Sequence, residues 1–270
     1  MSQNETGNNA RITPVKLGID TKFKFECHKN ISCFTKCCRG IDIMLTPYDI
    51  VRLKNHLELS SEEFLAIYTE PKLLEKTDLP VVTLKLLDDD IKSCPFVRDD
   101  GCLVYQNRPT TCRYYPLGVG TLSHKEGADE DEFYFFINEP HCKGFEEEKE
   151  WTVREWRKDQ GVDIHDKINE GWANLIVLKR SFPQNIKFSE KAKQMFFMGC
   201  YNIDKFRKFI FESSFLKMYT IDDETIENIK NDEVALLEFA FSWLRDVFFN
   251  KEEKIYKVNE NIVEERKKTT

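Results

Sequence analysis

The sequence predicts an α+β fold, with a small cysteine-rich domain followed by a mostly helical C-terminal extension. Three observations carry that expectation. Eight of the nine cysteines fall between positions 27 and 142, a stretch that also holds short Val-, Leu- and Phe-rich runs bounded by turn residues, as strands are. Beyond Lys143 only Cys200 remains, and apolar residues recur at helical spacing. With 21 Phe against 11 Gly and 9 Pro, the chain has the composition of a packed core rather than of a disordered one. The expected division is a loose lead-in over residues 1–22, a cysteine-cluster domain over 23–145 and a helical region over 146–270.

The elements follow in order. The first residues are polar and Asn-rich, and the first cysteine group is ECHKNISCFTKCCRG. LTPYDIVRLKNHLEL reads as a helix with Thr46 as N-cap and Pro47 at its first position, where a missing N–H costs little. A second short helix begins at Ser60, which stands at capping-box spacing from Glu63. PVVTLKLLDDD, residues 80–90, contains a strand. The second cysteine group, CPFVRDDGCLVYQNRPTTCRYYPLG, carries Asp100-Gly101 between two apolar runs. That is a hairpin signal, and it brings Cys94 towards Cys102. Asn107-Arg108-Pro109 then redirects the chain before Cys112. Residues 123–132 read as a charged loop and FYFFI, residues 133–137, as a strand.

In the C-terminal half, Thr152 and Glu155 form a capping-box pair opening a helix, and residues 163–182 form another, broken by Pro183. KFRKFIFESSFLKMY, residues 205–219, reads as a core helix with solvated lysines rather than a membrane-surface or partner-docking helix. Val234, Leu237, Phe241, Leu244 and Phe248 lie on one helix face. The tail, KVNENIVEERKKTT, reads as frayed.

Composition excludes several function classes. The 270 residues carry 40 basic and 47 acidic side chains, a net charge of −7, so no nucleic-acid partner is expected. No run approaches the roughly 18 apolar residues of a transmembrane segment. The N-terminus lacks the charged and apolar regions of a secretory signal. A soluble, cytoplasmic protein is the expectation.

A reducing compartment makes thiols more available to metals than to disulfides, so metal binding ranks first. Disulfide staples and unligated buried cysteines, which pack as small hydrophobes, rank below it. A metal site needs several thiolates within about 2.3 Å of one ion, and turns supply that convergence. Cys27-x5-Cys33-x3-Cys37-Cys38 and Cys94-x7-Cys102-x9-Cys112 are both turn-bearing, though neither has the two-residue knuckle of a zinc ribbon. Eight thiols suffice for two four-cysteine sites, or for one zinc site or iron–sulfur cluster with the rest in supporting or redox roles. Adjacent residues in a strand point apart, and even in a turn their sulfurs rarely share one ion comfortably, so Cys37 and Cys38 are expected to divide their labour. One then serves a second metal or stays unligated.

Other candidates weigh less. His28 and His141 each neighbour a cysteine, and imidazole is a zinc ligand, but one residue of separation is awkward for chelating the same ion. His56 and His124 read as surface residues and His165 as a helix residue. Asp88-Asp89-Asp90 could hold a hard cation but reads as an exposed acidic run. Gly118-Val119-Gly120 lacks the third glycine of a nucleotide loop and reads as a turn after Pro116. Cys200 reads as buried packing. GxxxxGK[ST], HExxH and GxSxG are all absent.

The succession CxxxxxCxxxCC, CPF…C, RPxxCRxYP and a late cysteine resembles the YkgJ-type cysteine-cluster family, a zinc- or iron-chelating domain that includes the flagellin lysine N-methylases. The resemblance covers residues 23–145 and is most specific from Cys94 through Arg108, Pro109, Cys112, Arg113 and Pro116. The first group departs from the family's CxxCxxCC, with longer gaps before Cys33 and Cys37. The resemblance implies a metal site built from Cys27, Cys33, Cys37, Cys38, Cys94, Cys102, Cys112 and Cys142. Its metal would be zinc or iron, a [4Fe-4S] cluster being one iron form. For one branch it implies lysine N-methylation, with S-adenosylmethionine as cofactor and a protein as substrate. Arg108 and Arg113 could offset thiolate charge or donate to sulfur; capping carbonyls or meeting carboxylates is the alternative. Three readings result: a metal-binding module, a lysine N-methyltransferase resting on resemblance alone, and a thiol redox protein. No catalytic residue is assigned.

Overall fold

The computed structural model describes residues 11–121, 132–183, 186–250 and 256–259. The architecture is α+β, and the chain forms two compact units. One comprises Met1–Leu45 and Thr83–Asp166, the other Thr46–Val82 and Lys167–Thr270.

The first unit is built on a three-stranded antiparallel sheet in which Glu132–Asn138 lies between Arg11–Leu17 and Leu117–Thr121. The strand expected in FYFFI is therefore its centre. The loose lead-in does not hold from Arg11 onward. Ile12, Thr13 and Val15 are β-branched, and Pro14 falls where the register shifts between Thr13 and Leu17, a place that tolerates a missing N–H. Gly118-Val119-Gly120 is likewise strand rather than turn. Gly118 pairs with Phe135 and Gly120 with Phe133, and each ring lies over its glycine. A Cβ at Gly118 would come within 2.4 Å of the Phe135 ring, so the glycines make room for cross-strand aromatics.

A second pairing joins Lys22–Lys24 to Glu150–Thr152, with Phe23 opposite Trp151. Behind both sheets Phe23, Phe25, Tyr114, Leu117, Tyr134, Val153, Trp156 and Val162 form one buried cluster. Its rings meet edge to face, as quadrupoles prefer: Phe25 and Trp156 lie 5.5 Å apart at 87°. The expected capping box is present, with Thr152 and Glu155 exchanging hydrogen bonds. The helix it opens, Val153–Gln160, ends on Gly161 in the left-handed region at φ 65°, where glycine carries no Cβ penalty.

The second unit is helical. Pro47–His56 and Ser61–Tyr68 both open with the expected capping boxes, Thr46 with Asp49 and Ser60 with Glu63. The long C-terminal helix Glu233–Phe249 buries Leu237, Phe241 and Leu244 of the predicted face, together with Leu236, Ala240 and Trp243. Gly171 lets the preceding long helix approach it, because a Cβ there would lie 2.9 Å from Phe241 Cβ. Residues 205–219 are core, as expected. Phe206, Ile210 and Phe215 are buried and Lys205 and Lys208 exposed, although Ser213-Ser214 divides the segment into Ile203–Glu212 and Phe215–Met218.

Lys54 is a buried cation in this unit, and Glu233 pairs with it at 2.6 Å, as a buried charge requires. The tail is ordered further than expected: Lys257–Val258 pairs with Tyr219–Thr220. Most of the charged loop over 123–132, the end of the tail and His124 lie outside the described residues. No helix among the described residues is long and apolar enough to cross a membrane.

Candidate metal centre

The first cysteine group is a coil of successive turns rather than a strand. Phe34 N–H donates to the Ile31 carbonyl, Lys36 N–H to Cys33 and Cys38 N–H to Thr35. Thr35 enters the 3₁₀ turn Lys36–Cys38 at φ 65°, a left-handed conformation that a β-branched residue adopts only under constraint. The tight turn brings both sulfurs of the adjacent pair to one side, with Cys37 Sγ and Cys38 Sγ 3.9 Å apart. Strand geometry, in which neighbours point apart, does not apply to this segment, and the expectation that the pair divides its labour then rests on the turn alone.

The second group is docked on the first. Cys94 N–H donates to the Cys38 carbonyl at 2.8 Å, Gly40 N–H donates to the Lys92 carbonyl, and Arg39 bridges to Ser93. The predicted hairpin is present, with its turn one residue earlier than expected: Val97–Arg98 pairs with Gly101–Cys102 across Asp99-Asp100, and Gly101 opens the return strand at φ 135°. A third arm arrives with the turn Glu139-Pro140-His141-Cys142, closed by Cys142 N–H donating to the Glu139 carbonyl. Just beyond it, Lys143 N–H donates to Cys33 Sγ at 3.2 Å, and Glu26 N–H donates to the Gly144 carbonyl. Gly144 permits this approach, since a Cβ there would lie 2.9 Å from the Glu26 carbonyl oxygen.

The thiols influence one another strongly. Cys27 has an exposed outer side, yet the protein packed behind it desolvates the thiol and, with Cys37, Cys33 and Cys142, pushes it up to about 11. Cys37 is raised far above the ordinary thiol range by its contact with Cys38, then by burial and by Glu139. Burial raises Cys94, and Cys102 and Cys37 add to it. Burial also raises Cys102, where Val104 N–H and the Arg108 cation act in the opposite direction. Cys142 is raised by burial and held down in part by the Tyr115 hydroxyl. Cys37 Sγ touches Cys38 Sγ, and its charge acts electrostatically on Cys27, Cys94, Cys102 and Cys142.

Cys112 is half-buried on the short helix Thr110–Tyr114. Cys200 is buried in the helical unit, within Glu190–Tyr201. Among the described residues no three thiols have sulfurs all within 4.8 Å of one another. Around one zinc ion, bonds of about 2.3 Å would set sulfurs about 3.8 Å apart. The arrangement is that of protonated thiols gathered into one region, and closing onto a cation requires their deprotonation.

The two arginines divide between the expected roles. Arg113 donates to the carbonyls of Gln106, Arg108 and Gln160, at 2.7, 3.1 and 2.8 Å, so it caps carbonyls. Arg108 donates to the Tyr105 carbonyl and stacks 4.1 Å over that ring, while its charge favours the Cys102 thiolate.

The remaining candidates separate in the same way. Asp88 pairs with Lys92 and Asp89 accepts from Ser93 N–H, so the acidic run caps an exposed turn. His56 is exposed, whereas His165 is buried and hydrogen-bonded to Thr110 at 2.9 Å. His28 lies 3.5 Å from Glu147, and with Glu26 these donor atoms fall within 4.8 Å of one another. Lys149 sits 3.9 Å from Glu26, and Asn30 N–H donates to His28 Nδ1, so both already have partners.

Two residues escaped sequence reasoning. They are Glu139, only 6% exposed and ion-paired with His141 at 3.1 Å, and Tyr115, whose buried hydroxyl faces Cys142. A Pro at the second position of a turn directly before Cys142 was the available signal. Thiols carried on three arms that dock on one another are donors of the kind zinc and iron take.

Residues 26–143 match the CxxCxxCC family model, described as "Putative zinc- or iron-chelating domain". The match spans the cysteine cluster, as the resemblance implied, and no curated protein or solved structure matches the chain.

Proposed function

We propose, taking residues 26–143 as the zinc- or iron-chelating domain they match, that Cys27, Cys33, Cys37, Cys38, Cys94, Cys102, Cys112 and Cys142 supply the thiolates of a metal centre. The observation that carries this reading is the docking of three cysteine-bearing arms on one another, with Cys94 N–H on the Cys38 carbonyl, Lys143 N–H on Cys33 Sγ, and Cys37 Sγ beside Cys38 Sγ. The metal is zinc, or iron as an ion or as a [4Fe-4S] cluster, and its role is to hold the turn-rich segments together. Residues 26–43 contain a single three-residue 3₁₀ turn, so few ladder hydrogen bonds hold them and the metal supplies folding free energy. Lysine N-methylation is implied for one branch of the resembling family. It requires saturable S-adenosylmethionine binding, which calorimetry measures directly.

Thiolate ligation fixes a pH dependence. The raised thiols are protonated at neutral pH, so every thiol that ligates must first release a proton. Raising the pH lowers that cost, and apparent affinity rises by up to about tenfold per pH unit for each proton displaced. Competition against a chromophoric zinc chelator, between about pH 6.5 and 7.5, is expected to show this steep rise. A flat profile would contradict thiolate ligation.

A further inference from the structure

The first cysteine group holds two thiols in contact on neighbouring residues. Cys37 Sγ and Cys38 Sγ stand 3.9 Å apart, and both residues are half-buried, within reach of a small solute. Their turn is fixed on both sides. Thr35 enters it at φ 65°, Cys38 N–H donates to the Thr35 carbonyl at 3.0 Å, and the Cys38 carbonyl accepts from Cys94 N–H at 2.8 Å. Beyond it, Gly40 N–H donates to the Lys92 carbonyl at 2.9 Å and Arg39 bridges to Ser93. A bond between the sulfurs then needs only side-chain rotation and a local adjustment of the peptide that joins them.

Such a contact serves two chemistries. Two sulfurs on one zinc ion stand about 3.8 Å apart, so the reduced pair is spaced to donate to metal. Oxidised, the same sulfurs close to about 2.0 Å in a disulfide. The Cα atoms of adjacent residues are about 3.8 Å apart, less than the roughly 4.4 Å at which ordinary disulfides begin, so the bond is strained and readily reduced. Strained disulfides are the labile, regulatory ones rather than those that staple a fold.

We propose that Cys37 and Cys38 are a reversible oxidation site, closing to a vicinal disulfide under a peroxide and so withdrawing their sulfurs from the metal. The withdrawal rests on the thiolate centre proposed above; the disulfide does not. One sulfur, as thiolate, attacks the O–O bond, takes an oxygen as sulfenic acid and releases hydroxide, which leaves as water with the thiol proton. The other sulfur displaces the sulfenic hydroxyl, which leaves as a second water with that sulfur's proton. Two thiols and one hydrogen peroxide thus give one disulfide and two waters. The thiolate is the form of sulfur that ligates, so closure removes both donors at once.

Mass spectrometry of the full chain, loaded with zinc and treated with stoichiometric hydrogen peroxide, tests this. Trypsin cuts after Lys36 and Arg39 and releases both cysteines in one peptide, Cys37-Cys38-Arg39. With the remaining thiols alkylated before digestion, most of that peptide is expected unalkylated and lighter by a pair of hydrogens. Zinc, read with a chromophoric chelator, should leave in step with the closure, and dithiothreitol followed by zinc should restore both. Two alkylated thiols in the peptide, a link from either one to another cysteine, or zinc retained by the closed pair would overturn the inference and leave the thiolate centre standing. A chain that takes up no zinc or iron would overturn the thiolate centre instead, and the same peptide still decides whether the pair closes.

Discussion

Chelating the metal is expected to strip protection from the cysteine segments while most of the helical signal survives. Residues 26–43 and 93–107 are held by turns, a two-residue hairpin and a few cross-links such as Cys94 N–H to the Cys38 carbonyl. Structural zinc contributes about 10–16 kcal/mol in zinc-finger peptides. A whole domain is stable by only about 5–15 kcal/mol, so losing such a term decides whether these segments fold. The helical unit is different: Leu236, Leu237, Phe241, Trp243 and Leu244 pack without any candidate ligand. Amide hydrogen exchange after chelation should show residues 26–43 and 93–107 exchanging orders of magnitude faster, with the helix Glu233–Phe249 little changed. Undiminished protection over both cysteine segments would show that the metal does not organise them.

Replacing Cys37 by Ser is expected to have the largest effect of any single cysteine substitution. Its sulfur lies 3.9 Å from Cys38 Sγ and its charge acts on four further thiols, and a serine hydroxyl at neutral pH is a far poorer ligand than a thiolate. Metal content should fall to about a tenth of native or less, since losing one of four ligands leaves an open coordination position. Cys200→Ser is the control, because that thiol is buried in the helical unit. It should keep native metal content, measured well below its melting temperature to allow for a polar group in an apolar site. Cys38→Ser tests the division of labour within the adjacent pair. Complete loss of metal in both Cys37→Ser and Cys38→Ser would show that the two sulfurs, 3.9 Å apart, act as one unit.

Local signals in the sequence translated directly into structure where a few residues decide the outcome. Thr46, Ser60 and Thr152 each cap a helix through the acidic residue three positions on, and the Asp-Gly signal marks the hairpin that brings Cys102 back towards Cys94, although its turn is Asp99-Asp100 and Gly101 already belongs to the strand. What depended on distant partners was not legible. Arg11–Leu17 becomes a strand because Glu132–Asn138 offers it a ladder, and nothing within a polar N-terminus announces that partner. Gly118 and Gly120 look like a turn in isolation, and only Phe135 and Phe133 across the sheet show them to be strand. At the candidate centre, periodicity describes strands and helices but not the 3₁₀ turn that sets Cys37 beside Cys38. Glu139 was invisible for a related reason: a lone glutamate reads as surface until tertiary packing buries it beside Cys37 and Tyr115.

The most direct test is the metal content of the untagged full chain, purified without oxygen and analysed by plasma mass spectrometry with an acid-labile sulfide assay. The account predicts a firmly bound stoichiometric metal, either about one or two zinc atoms per chain or about four irons with matching sulfide. A chain that folds with neither zinc nor iron, its thiols free or paired as disulfides, would contradict it.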